Sequence, residues 1–125
     1  MSTADLLMPP DDAAVERAVA AYAKAIRAQY GRRLKGIFLF GSRARGDHAR
    51  DSDADIAVVL ADDGWESWPE TKKLTDIAYD IIVETGAGLE AWPVSEDAWH
   101  SPERYPDASL LKAMQRDAKP VEAAA

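Results

Sequence analysis

GIFLFGSRARGDHARDSDADIAVVL, residues 36–60, sets two apolar runs on either side of a polar loop. The first run, Gly36 to Phe40, stops at Gly41-Ser42. Ten residues later Asp53-Ala54-Asp55 leads straight into the second run, Ile56 to Leu60. Side chains at i and i+2 of a strand point to the same face, so Asp53 and Asp55 are expected side by side. Asp is depleted in strands, which makes a pair at the mouth of a buried strand informative. Two hard oxygen ligands suit Mg²⁺ that also bridges phosphates. Gly41 offers a backbone without a side chain, and Ser42 a hydroxyl, where a phosphate could approach.

The flanking sequence supplies the rest of a small layered fold. Asp11 or Asp12 can cap a helix to about Tyr30, with Val15, Val19, Tyr22, Ile26 and Tyr30 at helical spacing. Gly31 is a stop signal. A strand is expected at Lys35–Phe40, a short helix from Ser42 to Arg45 with its N-terminus toward the phosphate, a polar loop over 46–52 and a strand at Asp53–Leu60. Ser67 and Glu70 have the form of a capping box, followed by Leu74, Ile77, Ala78, Ile81 and Ile82 up to Gly86. Leu89–Val94 reads as a third strand, at an edge because of Pro93. Ser95–Trp99 can start a short helix, and Asp107 can cap a last one through about Ala118 that carries Leu110, Leu111 and Met114. The expectation is an α+β fold, a small mixed sheet with helices packed mainly on one face. A single domain over 1–125 is expected, with 1–9 and 119–125 flexible.

Composition narrows the function. The chain has 125 residues, 47% of them hydrophobic, and no Cys, which excludes disulfides and thiolate zinc sites. No run approaches the ~20 apolar residues of a membrane span, and MSTADLLMPPDD lacks the basic region of a signal peptide. A soluble cytoplasmic protein without membrane association is the expectation. A net charge of −7 argues against a nucleic-acid partner bound by phosphate neutralisation. Arg43, Arg45 and Arg50 form a small basic set inside the motif. His48 reads as a solvated loop residue, and His48 and His100 lack ligand spacing. Most of Trp65, Trp68, Trp92 and Trp99 are expected to be core or edge packing, an exposed pair marking a partner surface.

Strand, Gly-Ser, ten residues, Asp-x-Asp, strand: this order resembles the DNA polymerase β-like nucleotidyltransferase superfamily. GSRARG at 41–46 and SDADIAV at 52–58 are most similar to its minimal nucleotidyltransferase domains. The resemblance is strong over 36–60 and fades by about residue 118. It implies the same fold and an Mg²⁺-dependent transfer, with two metal ions and ATP as substrate. Asp53 and Asp55 would be catalytic metal ligands. Gly41, Ser42, Arg43 and Arg45 would bind the nucleoside triphosphate. Catalytic relatives carry a third carboxylate on a later strand, a third catalytic metal ligand that completes one metal site. Here only Glu90, in LEAWPV, can fill that place, and Glu in place of Asp is a departure. The resemblance further implies an antitoxin that moves AMP onto a hydroxyl of a helical HEPN-type toxin. Two alternatives remain: a non-catalytic module that binds nucleotide or partner, and a small-molecule transferase, the latter disfavoured because so short a chain has no room for an acceptor domain.

Overall fold

Asp11, not Asp12, caps the first long helix, α1 (Asp12–Tyr30), by accepting the Ala14 N–H at 2.9 Å. The computed structural model describes residues 8–122. Of the expected loose ends, residues 1–7 and 123–125 lie outside the described residues. All five positions of the predicted stripe on α1 are buried, joined by Ala18 and Ala23. Gly31 ends the helix with φ at +55°, a value that favours glycine, and its N–H bonds the Arg27 carbonyl.

Four strands form one mixed sheet in the order β3-β2-β1-β4. They are β1 (Leu34–Phe40), β2 (Ala54–Leu60), β3 (Leu89–Ser95) and β4 (Lys119–Pro120). β1 runs antiparallel to β2, and β2 parallel to β3. A parallel pair needs a long crossover, and α2 (Ser42–Arg45) is too early in the chain to make it. The second long helix, α3 (Ser67–Thr85), does so. Pro93 sits in β3, an outer strand, where a missing N–H costs little.

The two long helices cover one face, as expected. Tyr22, Ile26, Ile37, Ile56, Val58, Leu60 and Leu74 pack there, and full burial of an aliphatic side chain contributes roughly 1.5–3 kcal/mol. The opposite face is not bare. Short helices α4 (Glu96–His100) and α5 (Ala108–Asp117) lay Ala98, Leu111 and Met114 over Phe40, Ala57 and Val94. Trp99 stacks on Phe38 with ring centroids 4.7 Å apart.

Three local expectations are corrected. Lys119–Pro120 do not trail away but pair with Phe38 and Leu39 as β4, because β1 would otherwise expose a hydrogen-bonding edge. Leu110 is 40% exposed, the core being met by Leu111 and Met114. The tryptophans pack as expected, all but Trp68, which is 71% exposed. The capping box does not form: Glu66 is the cap residue of α3, and no side chain bonds there. Glu70 is instead buried between α1 and α3, where the Tyr30 hydroxyl donates to its Oε2 at 2.7 Å. Arg33 and Lys73 lie 3.5 and 3.7 Å from its other oxygen. A second tie, the Tyr22 hydroxyl to the Leu74 carbonyl at 2.6 Å, joins the same two helices.

Removing a donor from a buried carboxylate leaves a desolvated group unpaired. Tyr30→Phe is expected to cost about 1–3 kcal/mol in urea unfolding. Trp68→Ala should stay within about 0.5 kcal/mol of the wild type.

Candidate active site at one end of the sheet

Register at the end of the sheet builds the site. Phe40 on β1 stands opposite Asp55 on β2, and Asp55 stands opposite Glu90 on β3. Residues in register share a face, so these three make one row and Phe38, Ala57 and Trp92 the next. Asp55 is half-buried and is the only ionisable residue of β2. Glu90 is exposed, as is Asp53 just ahead of the strand.

Two glycines make room for the two aspartates. Gly41 has φ at +75°, and a Cβ there would stand 2.5 Å from Asp55 Oδ2. A Cβ on Gly88 would overlap Asp53 Oδ1 and lie 2.9 Å from its Cγ. Both backbones therefore come closer to the carboxylates than any other residue allows. A groove of about 1010 Å³ opens beside Asp53, bordered by Arg50, Ser52, Thr85 and Gly88.

Burial, then the negative charges of Glu90 and Asp53, push the Asp55 carboxyl above its ordinary value, while Arg45 opposes them. Asp55 thus stands within reach of two like charges at the sheet end. The three do not converge into a ready-made cage: among the described residues no three His, Cys, Asp or Glu side chains are grouped to hold a metal ion. Mg²⁺ commonly takes one or two carboxylates and completes its shell with water and substrate phosphates. The acidic donor set, with its mutual repulsion, fits a cation that arrives with a triphosphate.

The arginines of the motif separate. Arg43 is held by the loop and by α1. Its guanidinium donates to the carbonyls of Ser52 at 2.8 Å and Arg50 at 2.9 Å, and to Asp12 Oδ1 at 3.2 Å. Only 6% of that side chain is exposed, so it holds the loop rather than offering a free charge to a nucleotide. Arg45 is near enough to Asp55 to lower its pKa, yet shares its charge with Asp47 at 3.1 Å and Asp117 at 2.8 Å. Ser42 opens α2 directly after Gly41. His48 is not a solvated loop residue: its Nε2 lies 2.9 Å from Asp12 Oδ1, and its Nδ1 is buried without a partner among the described residues. Gly88 and Asp12 escaped sequence reasoning. Neither belongs to the motif, and only the approach of β3 and α1 gives them a part.

Comparison with known proteins points the same way. The family model described as nucleotidyltransferase domain matches residues 19–99. Two Methanocaldococcus jannaschii proteins, provisionally described as protein adenylyltransferases, are similar to the chain. One is 46% identical over 44 residues, 35% of this chain and 44% of that protein. The other is 31% identical over 70 residues, 56% of this chain and 65% of that protein. The chain thus spans less than two thirds of the length of either. A toxin–antitoxin structure with AMP-PNP superposes with a TM-score of 0.55 at 17% identity, covering 82% of this chain and 72% of that one, which shows a shared fold.

A carboxylate with a raised pKa binds its proton more tightly in the folded state. Its ionisation therefore works against folding as pH rises from the ordinary Asp range through the raised value. Asp55→Asn should melt higher than the wild type at pH 7, and the gap should close toward pH 4. A melting series over that range decides it, an unchanged or lower Tm at pH 7 counting against the repulsion.

Proposed function

Since the chain belongs to the nucleotidyltransferase domain family, we propose that it transfers AMP from ATP to a hydroxyl of a partner protein, as the antitoxin of a pair with a helical HEPN-type toxin. The observation that carries the reading is the row Phe40–Asp55–Glu90, with Asp53 beside it and Gly41 pressed against Asp55. The relatives' provisional description as protein adenylyltransferases supports the transfer to protein. The toxin–antitoxin likeness supports the pairing, and the AMP-PNP in it supports ATP.

Asp53 and Asp55 would hold Mg²⁺, which when bound neutralises the triphosphate and stabilises charge on the reacting phosphoryl group. Gly41, with no side chain, lets the phosphates come up to the main chain, and the Ser42 hydroxyl donates to a phosphate oxygen. Glu90, exposed and in register with Asp55, accepts the proton of the acceptor hydroxyl. The acceptor oxygen bonds the α-phosphorus as the bond to the β-phosphate bridge breaks, and pyrophosphate leaves. Little covalent work falls to the protein in such a transfer; positioning and electrostatics dominate.

The absence of a grouped three-carboxylate cage among the described residues favours one rival, a module that binds nucleotide and partner without turnover. Two experiments separate the readings. Millimolar ATP with Mg²⁺ should raise the Tm by mass action, and the double variant Asp53→Asn, Asp55→Asn should lose that rise while remaining folded. With labelled ATP, the label should appear on a co-purified partner protein. Glu90→Gln should keep the thermal shift yet slow labelling by roughly 100-fold. A normal rate in that variant removes Glu90 from catalysis, and a wild type that binds ATP without labelling its partner supports the silent module.

A further inference from the structure

The loop that delivers Asp53 is tied to the start of α1 by a residue outside the motif. Asp12 is the first residue of that helix. Its single oxygen Oδ1 takes both Arg43 Nη1, at 3.2 Å, and His48 Nε2, at 2.9 Å. Arg43 then reaches forward to the carbonyls of Arg50 and Ser52, the latter immediately before Asp53. Ser52 Oγ accepts the Ala49 N–H at 2.9 Å, and Arg50 Nε donates to the Pro9 carbonyl at 2.8 Å. Both ends of the 46–53 loop are therefore referred to one carboxylate, through His48 at the start and Arg43 at the finish. The hydrogen bonds to His48 and then Arg43 hold the Asp12 carboxyl below its ordinary value, which agrees with a carboxylate in use although it is solvent-exposed.

We infer that Asp12 is a positioning residue: through Arg43 and His48 it sets the backbone of the loop that presents Asp53 to a metal-bound triphosphate. The neighbouring Asp11 has a different task. It caps α1 through the Ala14 N–H and makes no bond to the loop among the described residues. Two adjacent aspartates thus divide the work, one stabilising the helix end and the other the loop. Groups that hydrogen-bond a metal ligand directly affect metal affinity by about 10–100-fold when lost, and Asp12, one step further out, is expected at the lower end of that range. The role of Asp12 in nucleotide binding rests on the function proposed above; its hold on the loop does not.

Amide hydrogen exchange over residues 47–53 without nucleotide, and the Kd for ATP–Mg²⁺ by calorimetry, test the two parts. In Asp12→Ala, loop exchange should rise at least tenfold, and ATP–Mg²⁺ binding should weaken by about tenfold. Arg43→Lys, which loses the forked donor set, should do the same. Asp11→Ala should lower the Tm through its lost cap, yet leave loop exchange and Kd within twofold of the wild type. Asp12→Asn, which keeps an oxygen in place, should recover part of both losses. Unchanged loop exchange in Asp12→Ala overturns the inference. So does an Asp11→Ala variant that loosens the loop equally, since helix fraying would then explain the effect. A wild type that binds no ATP–Mg²⁺ defeats the proposed function instead, and the exchange contrast still decides whether Asp12 holds the loop.

Discussion

β2 is buried along its length except at Asp55, and much of the molecule follows from placing that charge at the end of the central strand. A carboxylate inside the sheet would carry a heavy desolvation cost. At the end row it is half-buried, with an exposed Glu90 on one side and the ring of Phe40 on the other. The neighbouring strands are locked in register by apolar side chains on both faces. Slipping either by one residue would send those side chains to the wrong face. Core packing and the position of the carboxylates are therefore set by the same registration.

That arrangement holds like charges together, and the fold carries the strain. The Asp55 carboxyl is raised by burial and by two acidic neighbours, with Arg45 as partial counterweight. Arg45 is itself shared with Asp47 and Asp117, the last residue of α5. The site thus has more negative charge than the protein neutralises. Such an imbalance destabilises the folded chain slightly.

Charge is treated differently away from the site. Glu70 is buried, yet Tyr30 donates to it and two cationic side chains lie near its second oxygen. The pair joins α1 to α3 beside the apolar core that both helices share. Burial also holds the Tyr30 hydroxyl, already bonded to Glu70, well above its usual pKa. One buried carboxylate is satisfied by the protein and serves to orient helices. A half-buried one, Asp55, sits beside two like charges at the end of the sheet.

Local pattern sufficed for much of this. The stripe on α1, the glycine that stops it, the edge placement of the strand with Pro93, and Gly-Ser followed by Asp-x-Asp between two apolar runs all depend on neighbours a few residues away, and each was legible in the chain alone. The pairing of β4 with β1 was not, because a two-residue strand has no periodicity to read. Nor was the use of Glu70, since Ser67-x-x-Glu70 satisfies a local rule that a tyrosine 40 residues earlier overrides. Arg43 and Arg45 look equivalent in GSRARG, and only the packing of α1 and α5 gives one to the loop and leaves the other beside Asp55. Local spacing along the chain marked the two long helices, the three longer strands and the carboxylates that flank the motif. Which side chains spend their charge on other parts of the protein was decided by contacts between segments far apart in the chain, where a partner's distance in space has no trace in local spacing.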